Sequence, residues 1–298
     1  MSTPNTGLAS TPESKSRAWT IRLRGAPALA RQGRLQISAG LVGGAIGYAA
    51  DAYVPNPPWR PLTDREVEAL APSAANAEPG RTIEVIGVGR GRELRALKQR
   101  LLAEARVAQT AGDLEEPQAL LTLGAGLLDG LFAHQCRRFE ATDRVRLTCN
   151  SPGLMTSTLY DRERQCLLGV HLDSHEHRDC TDRENCMRLL SLNVSVEPRR
   201  FLFVPLALAV IAREIGCLRG ASAMRCLNAT DLARAYFALY PATAVISLTL
   251  FPGEAYVAPV QNMPHDGSTA QMRDLDMTLR LFGEFARAED RQNCRTVA

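Results

Sequence analysis

The stretch DLDMTLRLFGEF (274–285) alternates apolar and polar side chains, and this alternation decides the fold class. Its apolar members are Leu275, Met277, Leu279 and Leu281, and its polar members are Asp276, Thr278 and Arg280. A repeat of two places each set on its own face of a β-strand. The stretch therefore predicts a strand with one apolar and one polar face, and its polar face would carry Arg280 into the interior of a β fold.

The chain around this stretch, from residue 141 onward, is rich in short β-prone runs with brief connections. They lie at 145–149, 165–173, 187–196, 200–206, 243–251 and 254–262, with short helices predicted at 207–217 and 230–239. Strands of this length and number are typical of an antiparallel sandwich, barrel or jelly roll. We therefore predict a mainly β fold with flanking helices, whose core is residues 141–298.

The N-terminal half has a different character. Residues 1–16 are polar and rich in Ser, Thr and Pro, which predicts a disordered tail. Residues 17–140 are predicted to be a largely helical region that packs on the core, although the prolines of VPNPPWRP (54–61) exclude a helix or a central strand there. A short helix is expected with Thr63 or Asp64 as its N-terminal cap. Two longer helices are expected over 92–111 and 117–139.

Composition excludes several functional classes. The 298 residues carry a net charge of only +3, with the arginines dispersed, which argues against nucleic acid as a partner. The apolar run 37–54 contains too many glycines and alanines, and one aspartate, for a good membrane span. The eight cysteines lack the regular spacing of a disulfide scaffold. Together these features predict a cytoplasmic protein with reduced cysteines.

The motif HLD (171–173) carries the strongest chemical signal. In a strand, His171 and Asp173 would point to the same face, where an imidazole and a carboxylate can bind one metal ion side by side. His265, directly after a predicted strand, is the candidate third ligand. Two histidines and one carboxylate form a facial triad that leaves coordination positions open, as in non-haem Fe(II) sites.

Three stretches of the chain resemble the Fe(II)/2-oxoglutarate-dependent dioxygenases, in particular bacterial biosynthetic oxygenases. They are HLD (171–173), RLLSLNVSVEPRRFLFV (188–204) and FPGEAYVAPVQNMPHDGST (251–269), and the resemblance covers about half the chain, roughly 145–285. It implies a double-stranded β-helix core, a distorted jelly roll related to the cupins. It also implies that His171, Asp173 and His265 bind iron, with 2-oxoglutarate as co-substrate and O₂ as oxidant.

The same resemblance implies a basic residue after the distal histidine that binds the far carboxylate of 2-oxoglutarate. Arg280 and Arg273 both qualify, and the position of Arg280 on the polar face of its strand favours Arg280. The expected substrate is an amino acid or a related small metabolite, free or bound to a carrier. The expected reaction is hydroxylation, desaturation or cyclisation at an unactivated C–H bond.

Other readings of the same residues lead to different functions. The segment HEHRDCTDRENC (175–186) could hold a structural zinc ion through His175, His177, Cys180 and Cys186, or could be a charged surface loop. The glycines of GVGRG (87–91), between a strand and a helix, could bind a nucleotide or a methyl donor in a transferase. A cupin-like binding protein without oxygenase activity is a further alternative. His134 is expected to be structural.

Overall fold

The computed structural model describes residues 18–73, 78–87, 138–141, 146–161, 163–219 and 228–286, with a few residues between 96 and 103. Within these ranges the helices are α1 (Ala26–Arg31), α2 (Asp64–Leu70), α3 (Leu208–Arg219) and α4 (Ala229–Leu239). The first strands are β1 (Arg22–Leu23), β2 (Leu35–Ile37), β3 (Leu41–Gly43), β4 (Tyr53–Pro55), β5 (Arg60–Pro61), β6 (Thr82–Gly87), β7 (Arg138–Ala141) and β8 (Arg146–Asn150). The later strands are β9 (Tyr160–Asp161), β10 (Cys166–Leu167), β11 (Arg188–Asn193), β12 (Arg199–Phe203), β13 (Ile246–Leu250), β14 (Glu254–Ala258), β15 (His265–Ser268) and β16 (Asp276–Ala286).

Two large sheets form the body of the fold. A seven-stranded sheet has the order β1-β6-β14-β11-β16-β7, with β8 also pairing with β16, and a five-stranded sheet has the order β15-β12-β13-β2-β5. All pairs are antiparallel except β1 with β6. The two sheets pack as a sandwich, and in the described part of the chain they do not close into a barrel.

Alternation along β12 shows how the layers are built. Phe201 and Phe203 face the core between the sheets, whereas Leu202 and Val204 face the opposite side, where they pack with residues of α3 and α4. Phe201 stacks on Tyr256 of the other sheet, with 4.0 Å between ring centroids. Helices α3 and α4 therefore cover the outer face of the five-stranded sheet, and the inner face of this sheet packs against the seven-stranded sheet.

The stretch 274–285 forms a strand, as its alternation predicts. Met277, Leu279 and Leu281 are buried on one face of β16. On the other face Asp276 and Arg280 point into the space between the sheets, where Asp276 pairs with Arg199 of β12 at 3.0 Å and Arg280 lines a cavity. The predicted strands near 145, 187, 200, 243 and 254 and the two helices after 206 are likewise confirmed.

The prediction of a helical N-terminal region is wrong for residues 18–87. Its described residues supply β1 and β6 to the larger sheet and β2 and β5 to the smaller one, and the α-helices α1 and α2 among them are short. Of the prolines in this segment, Pro61 lies in the edge strand β5 and Pro55 ends β4 of a two-stranded sheet, positions where a missing N–H is tolerated. Helix α2 begins as predicted, because Thr63 and Glu66 form a reciprocal capping box.

Several predictions concern residues beyond the described ranges. The tail 1–16, most of the helix 92–111, the loop 88–91 and His134 lie outside the described residues. So does most of the helix 117–139, although its last two residues belong to strand β7. Among the described helices, none is long and apolar enough to cross a bilayer. Cys149, Cys166, Cys180 and Cys186 are free thiols.

Candidate metal centre

His171 and His265 meet through a backbone bridge between two distant parts of the chain. The N–H of His171 donates to the His265 carbonyl at 3.1 Å, and the N–H of His265 donates back at 2.8 Å. Residues that exchange both hydrogen bonds in an antiparallel pair present their side chains on the same face. The two imidazole rings accordingly lie 4.9 Å apart between centroids, and both are buried.

The predicted strand 165–173 does not run through His171. Gly169 adopts a left-handed conformation (φ 70°), and a Cβ at this position would collide with the backbone carbonyl of Tyr53. The regular strand β10 therefore ends at Leu167, and His171 contributes an isolated bridge. The pairing of His171 and Asp173 survives this interruption, because the Asp173 N–H is anchored to the Val260 carbonyl at 3.3 Å.

The Asp173 carboxylate lies between the two histidines. Its Oδ1 is 3.6 Å from Nε2 of His171, and its Oδ2 is 3.9 Å from Nε2 of His265. One ligand atom from each of the three residues falls within 4.8 Å of the others. Asp173 Oδ2 is buried and accepts no hydrogen bond from any described residue. A buried, unsatisfied carboxylate oxygen beside two imidazole nitrogens fits a divalent cation as the missing partner.

Hydrogen bonds at the far side of each ring leave Nε2 as the ligand atom. Nδ1 of His171 lies 2.9 Å from the Gly169 carbonyl, and Nδ1 of His265 lies 3.3 Å from the Met263 carbonyl. A carbonyl accepts but cannot donate, so each Nδ1 carries a proton and Nε2 is the atom left to bind a metal ion. At His171 the metal ion would displace the Nε2 proton that Asp173 stabilises. This is the arrangement that orients histidine ligands in metal sites.

Asp266 is a site residue that the sequence analysis missed. Its fully buried Oδ1 accepts hydrogen bonds from the backbone N–H groups of Ser157, Thr158 and Gly267 and from the Thr158 hydroxyl, at 2.7–3.0 Å. Its Oδ2 lies 3.4 Å from Nδ1 of His171. The carboxylate therefore fixes the neighbouring loop through Oδ1 and places a negative charge beside a candidate ligand, while its Oδ2 accepts no hydrogen bond from the described residues.

The surroundings of the two histidines shift their pKa values in opposite directions. Burial alone would lower the pKa of His171, but interaction with Asp173 and Asp266 raises it to about 10. Burial lowers the pKa of His265 to about 4. Burial alone would raise the pKa of Asp173, but His171 and His175 bring it well below its usual value. Two ionised carboxylates thus stabilise a positive charge at His171, which is a proton in the absence of a metal ion and which a metal ion would replace.

An open cavity of about 160 Å³ leads to these ligands from the side of the larger sheet. Arg280 lines it, with one guanidinium nitrogen 3.8 Å from Asp173 Oδ2. Arg273 does not reach the cavity: it is exposed in the turn before β16, and its backbone N–H donates to Glu197. The structure thus brings Arg280 to the ligands and leaves Arg273 outside. The full lining is Arg146, Thr148, Thr158, Leu159, His171, Asp173, His175, Arg280 and Phe282.

The segment 175–186 does not gather its four candidate zinc ligands. Among the described residues, the one cluster with metal-binding geometry contains none of them. His177 is exposed, and Cys180 contacts its neighbour Asp179. His175 belongs to the cavity, where its ring packs edge-on against Phe282 at 4.4 Å between centroids. His175 is thus an exposed loop residue at the cavity that supplies no atom to the metal-binding cluster.

Asp266→Asn is expected to weaken metal binding about 10- to 100-fold, the usual effect of losing an outer-shell carboxylate. The amide keeps an acceptor for the loop but removes the negative charge beside His171. Thr158→Val is the matched control, because it removes one hydrogen bond from Asp266 Oδ1 and leaves the contact with His171 intact. Titration of Mn(II) followed by its electron paramagnetic resonance measures both affinities, and equal losses in the two variants would contradict the assigned role.

The chain was compared with protein-family models, with curated proteins and with solved structures. No protein-family model matches the chain, and neither a curated protein nor a solved structure matches it significantly.

Proposed function

We propose that this protein is a non-haem Fe(II), 2-oxoglutarate-dependent oxygenase that acts on a small metabolite. The observation that carries the proposal is the cluster of His171, Asp173 and His265, of which His171 and Asp173 line a cavity together with Arg280. Two imidazoles and one carboxylate are the donor set of the facial triad. In this proposal the sandwich is a double-stranded β-helix, and the protein is cytoplasmic and biosynthetic.

Iron in this triad would bind 2-oxoglutarate and O₂ at its open positions and supply the oxidising power for an unactivated C–H bond. The chain itself supplies position and environment. His171 and His265 are held by their Nδ1 hydrogen bonds, so their Nε2 atoms face the ion. The apolar surfaces of Leu159 and Phe282 limit the water beside it.

Arg280 is the proposed partner of the far carboxylate of 2-oxoglutarate. It extends from β16 of the larger sheet into the cavity, where its guanidinium lies 3.8 Å from the candidate ligand Asp173. A guanidinium forms paired hydrogen bonds with a carboxylate, which would set the direction in which the co-substrate enters. Arg273 serves as a natural comparison, because it lies on the same segment but outside the cavity.

The test is the visible charge-transfer band that Fe(II) and 2-oxoglutarate produce together under anaerobic conditions. We expect the band in the native protein and a 2-oxoglutarate Kd about 10- to 150-fold higher in Arg280→Met, the effect of one charged hydrogen-bonded pair. Arg273→Met should leave this Kd unchanged. A native protein that binds Fe(II) without the band would overturn the oxygenase proposal and favour a cupin-like binding protein.

A further inference from the structure

A second cavity, of about 300 Å³, shares one wall with the cavity that contains the metal ligands. Side chains 171, 173 and 175 line the metal cavity, whereas Leu172 and Ser174 line the second cavity. This alternation is that of an extended segment, whose successive side chains point to opposite sides. The segment that supplies two of the candidate ligands therefore forms a wall of both cavities.

Leu159 lines both cavities, so the two cavities meet at its side chain. Leu159 is 37% exposed, and its carbonyl accepts a hydrogen bond at 3.0 Å from the N–H of Leu168, which lines the second cavity. Sites that enclose a whole small-molecule ligand measure roughly 300–1,000 Å³, whereas the metal cavity measures about 160 Å³. The metal cavity thus leaves little room for a substrate beside 2-oxoglutarate, and a larger molecule would pass Leu159 into the second cavity.

The polar side chains of the second cavity are paired within the protein. The Asn228 amide accepts from the Asp231 N–H at 2.9 Å and donates to the Asp231 carboxylate at 2.7 Å. The Thr230 hydroxyl exchanges two hydrogen bonds of 3.2 Å with the backbone of Leu172, and Arg234 lies 3.5 Å from Asp231. Groups that already have partners offer a ligand little further hydrogen bonding, so the leucine surfaces are what a ligand would gain by contacting.

We propose that the second cavity binds an apolar part of the substrate, remote from the C–H bond that reacts. The substrate would then carry an aliphatic chain or an aromatic ring, which contacts Leu159, Leu168 and Leu172. This inference rests on the proposed function, because it takes the metal ion and 2-oxoglutarate to fill the first cavity. An ionised group at the far end of the chain would lose its hydration without gaining a partner, and would weaken binding.

The test uses alkyl hydroxamic acids, whose two oxygens chelate a metal ion while the chain extends away from it. Acetohydroxamic, hexanohydroxamic and octanohydroxamic acids are titrated calorimetrically into protein loaded with Mn(II). We expect the affinity to rise about three- to fourfold for each methylene that enters the second cavity. The monohydroxamate of octanedioic acid, which ends in a carboxylate, should bind more weakly than octanohydroxamic acid.

Leu168→Gln should remove most of the gain from the longer chain and leave the affinity for acetohydroxamic acid unchanged, because Leu168 lines only the second cavity. Leu239→Gln is the matched control, since Leu239 is exposed at the end of α4 and lines neither cavity. It should keep the full gain. Thermal unfolding without metal shows whether each variant is folded.

The outcomes separate this inference from the proposed function. If acetohydroxamic acid binds but a longer chain adds no affinity, or if Leu168→Gln keeps the full gain, the inference is overturned and the oxygenase proposal is unaffected. If the Fe(II) charge-transfer band is absent but the gain is present and depends on Leu168, the oxygenase proposal fails and the apolar site beside a metal centre stands. If the protein binds neither Mn(II) nor acetohydroxamic acid, both proposals fail.

Discussion

His265→Ala is expected to lower the affinity for Fe(II) more than 100-fold, because even the loss of an outer-shell partner costs about 10- to 100-fold. His265 presents Nε2 to Asp173 Oδ2 from the first residue of β15, and its ring is buried. Alanine removes this ligand and leaves one imidazole and one carboxylate. The 2-oxoglutarate charge-transfer band should disappear with the metal.

Thermal unfolding reports the same loss without any assumption about activity. Metal at 100 times its Kd stabilises a folded protein by about 2.7 kcal/mol. For a chain of 298 residues, with an unfolding entropy of about 2.1 cal/mol/K per residue, that corresponds to a rise in Tm of about 4 °C. The native protein should show this rise with Fe(II) under anaerobic conditions, and His265→Ala should not.

His177→Asn is the matched histidine control for this experiment. His177 follows the site closely in sequence but is exposed, and its positive φ of 50° is one that asparagine tolerates. Its metal affinity and its Tm rise should equal those of the native protein. A metal-dependent rise that survives in His265→Ala, or one that vanishes in His177→Asn, would show that the ligand set is misassigned.

The predictions from sequence succeed where a pattern is local. The alternation in 274–285 places Asp276 and Arg280 on the inner face of β16, because the repeat of a strand depends only on neighbouring residues. The strand predicted through His171 fails for a tertiary reason. Gly169 takes a left-handed φ, and its backbone lies against Tyr53, which is distant in the chain.

Some residues of the candidate site could likewise be predicted from local sequence, and others depend on tertiary contacts. His171, Asp173 and His265 could be named from their residue types and order, and the structure brings their ligand atoms together. The role of Asp266 depends on the bridge between residues 171 and 265, which no local pattern shows. The position of His175 at the cavity depends in the same way on its contact with Phe282 of the larger sheet.

The prediction of a helical N-terminal region was wrong because short strands carry weak local sequence signals. Strand β2 has three residues and β5 has two, which is too few for a reliable period, and both depend on β13 and its sheet for stability. The longer strand β6, which was predicted before the glycines of 87–91, pairs with β14 of the larger sheet. The structure of β2 and β5 is thus determined by the sheet with which they pair and not by their own sequences.

Arg199→Met is expected to lower the free energy of unfolding by about 3–5 kcal/mol, the usual result of removing one member of a buried ion pair. The Arg199 guanidinium lies 3.0 Å from Asp276, and the two side chains are 2% and 0% exposed. This contact joins β12 of one sheet to β16 of the other. Without arginine, Asp276 would keep its buried charge with only the hydrogen bonds from Asn150 and Ser195.

Two further variants show whether the uncompensated charge is the cause. Arg199→Met combined with Asp276→Leu removes both charges, and apolar replacement of a buried pair is often neutral, so most of the lost stability should return. Arg60→Met breaks an exposed pair with Glu66 at 2.6 Å and should cost less than about 1 kcal/mol. Urea unfolding with a common slope measures all three. A double variant as unstable as Arg199→Met would instead assign the loss to packing, because the guanidinium also covers Gly267 on the strand that carries His265.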